Sequence, residues 1–260
     1  MNADPLLLSE RRGAVAWLTL NRPGARNALS RDLMTALEAA LDDTASDPAV
    51  KVVVIAGAGP AFCAGHDLRE IRAEPGRAAY EALFAQCARL MTRIVRLPKP
   101  VIARVHGIAT AAGCQLVASA DLAIAADTAR FATPGVNIGL FCSTPMVALS
   151  RAIGRKPALE MLLTGDPIDA ARARELGLIN RVVPETALDE EVTSLANQIA
   201  GKSPITLAIG KEAFYRHADM DLDAAYAYAA ETMTRNMLAR DAEEGIDAFL
   251  AKRPPVWTGQ

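Results

Sequence analysis

Residues 100–126 read PVIARVHGIATAAGCQLVASADLAIAA, and three local patterns follow one another there without a break. Pro100–Val105 is a short apolar run of strand length, and His106-Gly107 forms its exit turn. Residues Ala111–Ala120 are mostly small and apolar, which predicts a tightly buried helix. Leu122–Ala126 then returns as a strand. Strand, buried helix and strand in succession predict an α/β core.

The same alternation extends on both sides. Ala14–Leu20 (AVAWLTL) reads as a strand stopped by the turn Asn21-Arg22-Pro23-Gly24. Ser30 can cap a helix that places Leu33, Leu37 and Leu41 on one face. Lys51–Ala56 (KVVVIA) is a continuous apolar run, the mark of a strand covered on both faces. A glycine-rich loop and a helix from about Arg77 to Leu97 follow. The alternation lasts to about residue 185, with Asp169 capping a helix that ends near Gly177. From Ala187 to Lys252 the pattern is helical, and Ser203-Pro204 opens one of these helices. The expected organisation is an α/β core over residues 1–200 and a C-terminal helical region over 201–260. A change of texture, rather than a linker, separates them.

Composition narrows the functional classes. The chain has 260 residues, 51% of them hydrophobic, with 28 basic and 30 acidic side chains, so a substantial core forms and wholesale disorder is excluded. A formal charge of −2 offers no electrostatic case for nucleic acid or an anionic membrane as partner. The longest uncharged stretch, Phe131–Ser150, is broken by Pro134, Pro145 and two glycines and is not a spanning helix. The opening MNADPLLLSERRG has neither a basic n-region nor a cleavable apolar run. Cys63, Cys87, Cys114 and Cys142 show no C-x-x-C spacing, which suits reduced thiols, and a cytoplasmic location is expected. Only three histidines, His66, His106 and His217, are scattered along the chain, and no metal is expected.

Nucleotide motifs fail on inspection. Gly57-Ala58-Gly59-Pro60-Ala61-Phe62 follows a strand, but Phe62 stands at the third glycine position and Pro60 removes an amide. Two other segments carry more chemistry. In Phe62-Cys63-Ala64-Gly65-His66-Asp67-Leu68, Gly65 allows an unusual backbone and Asp67 can cap the next helix, so nearby amides can face an oxygen anion. The plain alternative is a loop-to-helix cap. In His106–Gln115 the small residues at a helix start let backbone N–H groups approach a ligand; the alternative is close core packing.

Together with NRPGARNAL (21–29), FATPGVNIGL (131–140) and EGIDAFLAKRP (244–254), the segments FCAGHDL (62–68) and HGIATAAGCQL (106–116) resemble the crotonase, or enoyl-CoA hydratase/isomerase, superfamily. The elements run in order over nearly the whole chain. The resemblance implies a spiral of strand-strand-helix units with C-terminal helices that assemble trimers, commonly paired into hexamers. It implies an acyl-CoA thioester as partner, coenzyme A being part of the substrate and no separate cofactor being required. The main-chain amides of His66 and Ala112 would grip the thioester oxygen as an enolate forms. Adenine and pantetheine contacts carry over to Arg26, Ala28, Ala64, Asp67 and Leu68, with Arg22, Arg69 and Lys252 as phosphate neighbours. Ile108, Gly113, Pro134 and Ile138 are implied as further substrate contacts.

The departures from the family pattern bear on the reaction. Hydratases of this family carry one glutamate shortly after the helix start and a second in a later Pro-Glu pair; here Gln115 and Gly135 stand at those positions. Glutamine exchanges no proton usefully at neutral pH and glycine has no side chain. The carboxylate that some isomerases carry eight residues further on is Ser143 here. Asn137, Cys142 and Ser143 remain as polar candidates. Three activities fit: an enoyl-CoA lyase or isomerase with a substitute proton carrier, a malonyl-type acyl-CoA decarboxylase, and an acyl-CoA-binding protein without turnover. Ala64-Gly65-His66-Asp67 and Thr133-Pro134-x-x-Asn137 resemble decarboxylases of the same superfamily.

Overall fold

In a computed structural model, which describes residues 4–260, β-strands Leu7–Arg12 (β1) and Val15–Leu20 (β2) open the chain as an antiparallel pair. Helix α1 (Arg31–Ser46) follows, with Ser30 Oγ accepting the Leu33 amide as its cap. Then come β3 (Val52–Gly57), the short α2 (Leu68–Ala73), α3 (Arg77–Arg96), β4 (Val101–Val105), β5 (Ile108–Thr110), α4 (Ala112–Ser119) and β6 (Leu122–Ala126). After β7 (Arg130–Ala132) a 3₁₀ turn (Pro134–Ile138) leads to α5 (Ser143–Ala152), α6 (Arg155–Thr164), β8 (Ile168–Asp169), α7 (Ala170–Leu176) and β9 (Arg181–Val183). Four helices finish the chain: α8 (Leu188–Ala200), α9 (Pro204–His217), α10 (Leu222–Met237) and α11 (Arg240–Leu250).

The larger sheet has the order β1-β2-β3-β4-β6-β9, parallel from β2 onward; the smaller is β5-β7-β8. Why the strands read as unbroken apolar runs is visible in their two faces. Val53, Ile55, Val101 and Ala103 point into one core, shared with Leu33, Leu37 and Leu41 of α1 and Leu90 and Ile94 of α3. Val52, Val54, Ile102 and Ile124 alternate into a second core under Leu188, Val192 and Ala196 of α8. With period 2 and a helix layer on each side, both sets must be apolar. Full burial of each leucine or isoleucine contributes about 1.5–3 kcal/mol over exposure.

Three strands escape the sequence pattern. β1 is largely exposed, because it is an edge strand held by its hydrogen bonds to β2. β5 and β7 have only three residues each and lie in the second sheet. The buried helix expected over 111–120 is α4, seven of whose eight residues are buried.

The last helices dock through polar contacts. Lys211 of α9 sits 2.6 Å from Asp121, at the α4–β6 junction, and donates to the carbonyls of Ile94 and Lys99 at 3.0 Å. Tyr215 Oη donates to the same carboxylate at 2.9 Å. Burial is the first influence on each group of this cluster: it pushes the Asp121 carboxyl up and the Lys211 ammonium down from their ordinary values. Asp241, 2% exposed, joins Ser203 to the amides of Thr258 and Gly259 and closes the tail on α9. No helix among the described residues is long and apolar enough to cross a membrane.

Candidate functional site

The N-terminal loops converge on the start of α4. Asn27, fully buried and at φ 54°, donates to the carbonyls of Ala58 (2.8 Å) and Ala61 (2.7 Å) and accepts the Arg22 amide (2.8 Å). Asn tolerates the left-handed region better than other non-glycine residues, which suits this side chain to tie two loops together. His106 adds a second tie: its Nε2 lies 2.7 Å from the Gly59 oxygen and its Nδ1 2.6 Å from Arg104 Nη1. Arg104 in turn reaches Asp189 at the start of α8.

The segment 62–68 is laced between two neighbours. Cys63 N–H donates to Ile108 O and Thr110 N–H to Cys63 O, while Ala64 N–H donates to Arg26 O. On the other side Leu29 N–H donates to Gly65 O and Asp67 N–H to Leu29 O. This is a parallel bridge centred on His66, so the bonds to Leu29 come from its neighbours and the His66 amide faces away.

Gly65, at φ 96°, lets α4 approach: a Cβ there would lie 2.9 Å from Ala111 Cβ and 3.4 Å from Ala112 N. A Cβ on Gly113 would collide with the Cys63 carbonyl. Ala111 itself is held at φ 50°, ψ −117°, a conformation that costs a non-glycine residue about 1–3 kcal/mol. Its amide is spent on Ala132 O, and its carbonyl receives Gln115 N–H. Ala112 is the first residue of α4, so its amide has no partner within the helix and points along the positive end of the dipole. Two backbone donors thus flank the Gly65 cleft, a geometry able to hold a developing oxyanion.

His66 presents an unpartnered imidazole. Its ring meets Phe84 of α3 edge-on at 5.8 Å, and Nε2 is buried without a hydrogen-bond partner. Burial pulls its pKa down to about 4, so the ring is neutral at pH 7.

The remaining expected positions fall into three groups. Arg22 donates to Asp67 Oδ2 at 2.8 Å and to Ala28 O, joining the two loops; it is committed to this tie rather than held free for a phosphate. Asp67 also caps α2 through the amides of Arg69 and Glu70; burial alone would raise its carboxyl, but these partners together with Arg22 hold it below the ordinary value. Arg26, Leu68 and Arg69 are exposed beside this cluster. Ile108 is half-buried next to Cys63.

Gln115 is buried, and the Cys87 thiol lies 3.7 Å from its Oε1. Gly135 is buried in a closed slot: a Cβ there would collide with the Leu140 carbonyl and lie 2.8 Å from Cys142 Sγ. Asn137 and Pro134 pack near Gly165, Asn137 being exposed. Ile138 is exposed, as is Ser143, whose hydroxyl donates to Phe141 O. Lys252 follows α11, which packs on α9 and α10, and so stands on the helical region rather than in the Arg22–Asp67 cluster. Asn27, Cys87 and the Lys211 cluster were not foreseen; Asn27 lay within a quoted motif, but nothing local distinguishes it from a turn asparagine.

Comparison with known proteins gives a consistent result. The family model described as enoyl-CoA hydratase/isomerase matches residues 10–260. The rat mitochondrial enoyl-CoA hydratase domain-containing protein 3 is 47% identical, covering 98% of this chain and 86% of its own. Its human counterpart is 48% identical over 93% of this chain and 80% of its own. A crystal structure of an enoyl-CoA hydratase from Mycobacterium smegmatis superposes with a TM-score of 0.95 at 56% identity, covering 98% of this chain and 99% of that one.

These relatives correct the expected cytoplasmic location. Five curated relatives at 44–48% identity are named as mitochondrial. The cysteine argument could not carry the narrower assignment. Buried thiols such as Cys63 and Cys114, pushed up to about 12 by burial, are inert and do not distinguish one compartment from another.

Proposed function

The chain belongs to the enoyl-CoA hydratase/isomerase family, and from that premise we propose that it acts on an acyl-CoA thioester by stabilising its enolate between the main-chain amides of His66 and Ala112. The observation that carries this reading is the pair of outward-facing donors on either side of Gly65. Preorganised donors of this kind contribute about 3–4 kcal/mol each to a developing oxyanion. The pantetheine and adenine side of the ligand lies along Arg26, Ala28, Ala64, Asp67 and Leu68, with Arg69 beside them. Arg22 acts there by positioning Asp67 and Ala28.

Hydration by two glutamates is not open to this chain. Gln115 is held against Cys87, and the Gly135 slot is filled by Cys142 and the Leu140 carbonyl, leaving no room for a second carboxylate. An enoyl-CoA lyase or isomerase reaction here takes its proton from a water or a substrate group.

That same observation favours a second reading, decarboxylation of a malonyl-type thioester. The bond to the carboxylate breaks, carbon dioxide leaves, and the electron pair enters the enolate held by the two amides. A solvent proton then completes the shortened thioester, so no strong base is needed.

Product analysis after incubation with crotonyl-CoA and with methylmalonyl-CoA separates the readings. Hydration yields a 3-hydroxyacyl-CoA, decarboxylation yields carbon dioxide and propionyl-CoA, and binding measured without either product marks a non-catalytic acyl-CoA-binding protein. Exposed Leu238 and Phe249, each 83% accessible, support self-association through the helical region, as a trimer or a pair of trimers.

A further inference from the structure

A cavity of about 1620 Å³ is lined by Gln115 and by other residues of α3, α4, α5, α9 and the end of α10. Two helices measure its length. On α3, Cys87 lies against Gln115, and Ala88, Thr92 and Arg96 follow along the cavity wall at helical spacing. Cys87 and Arg96 are separated by about 13 Å of helical rise. On α5, Cys142 packs against Gly135 at the helix start, and Thr144, Val147 and Arg151 line the same cavity. Cys142 and Arg151 are again about 13 Å apart along the axis. On α3 and on α5 alike, a cysteine beside Gln115 or Gly135 thus stands about 13 Å along the axis from an arginine on the cavity wall.

The charges of this wall are unequal in their pairing. Lys211 is bound to Asp121, and Arg216 and Arg235 both lie on Glu212. Asp219, just after α9, also lines the cavity. Arg96 and Arg151 have no carboxylate within 4.0 Å among the described residues; Arg151 donates to Val147 O of its own helix. Between Gln115 and these guanidinium groups the wall carries Met91, Val95, Val147 and Ala148, with the hydroxyls of Thr92, Ser119 and Thr144 among them.

Resting on the thioester reading above, we propose that this cavity takes the acyl chain, and that Arg96 and Arg151 select a chain ending in a carboxylate: a dicarboxylic acid held as its mono-thioester. An extended chain advances about 1.25 Å per carbon. With the reach of the arginine side chains, the span suits acyl groups of about six to ten carbons. The methylenes lie on the apolar side chains of this wall, and the distal carboxylate forms charge-assisted hydrogen bonds with the two guanidinium groups.

The test compares octanoyl-CoA with the mono-CoA thioester of octanedioic acid. Both are saturated, so binding is read without chemistry. Calorimetric titration at low ionic strength uses the full chain and an Arg96→Gln/Arg151→Gln double variant, whose exposed positions spare the core. The expected result is a preference of about five- to tenfold for the dicarboxylic thioester, collapsing toward one in the double variant. Equal or weaker affinity for the dicarboxylic thioester overturns the inference, as does a preference that survives both substitutions. Octanoyl-CoA binding without preference overturns this inference alone. No binding of either thioester or of coenzyme A overturns the thioester reading with it.

Discussion

A Cβ on Gly135 would strike the Leu140 carbonyl and lie 2.8 Å from Cys142 Sγ, so the position at which the family resemblance implies a second glutamate has no room for a side chain. Gly135→Glu is therefore expected to lower stability by about 1–3 kcal/mol or more without introducing hydration, read as a fall in the urea midpoint. Gln115→Glu keeps the volume but puts a carboxyl without a cationic partner in a buried site, so its cost is expected to grow as pH rises and the carboxyl ionises. His66 gives a pH signature. Its pKa falls from 6.5 in the unfolded chain to about 4 in the fold, so the unfolded state binds more protons between these values. Stability is then fully present above about pH 6.5 and declines as pH falls toward 4; denaturant titrations at pH 7 and pH 5 should show the drop, and His66→Leu should reduce it. The departures at 115 and 135 were legible only through the family resemblance, which supplies the glutamates expected there. What the sequence could not show was that Cys142 fills the space, because that contact joins a 3₁₀ turn to the next helix.

At the scale of elements, the loops around the candidate site are held by side chains that sequence patterns treat as ordinary. Asn27 makes three hydrogen bonds from a fully buried, left-handed position. Asn27→Ala is expected to cost about 2–4 kcal/mol, because it strands two carbonyls and an amide and strains the backbone. The helical region is anchored in the same manner by Lys211 on Asp121. Lys211→Met alone leaves a buried carboxylate uncompensated and is expected to cost about 3–5 kcal/mol. Adding Asp121→Asn should recover part of that loss, a coupling measurable by a double-mutant cycle. The strands and helices themselves were readable, since β3, β4 and β6 announce two buried faces and Ser30, Asp67 and Asp169 announce helix starts. β1 and β5 were not, because an exposed edge strand and a three-residue strand owe their form to pairing rather than to local pattern.

Across the whole molecule, the core spends its apolar residues on two packed faces, while α10, α11 and the turn between them leave Tyr226, Leu238, Phe249 and Leu250 at least 72% exposed. A surface of this kind on a chain of near-zero net charge is expected to self-associate. Leu238→Glu/Phe249→Glu should lower the mass measured by light scattering, with circular dichroism unchanged. The account centres, however, on two backbone donors doing chemistry without the family's glutamates. Its most direct test is mass spectrometry of products formed from crotonyl-CoA and methylmalonyl-CoA by the native chain and by His66→Pro, which deletes one donor amide. The account predicts a hydrated or decarboxylated thioester from the native chain, lost in a variant whose fold is verified by circular dichroism. No product from either thioester, or undiminished product from the folded variant, would contradict it.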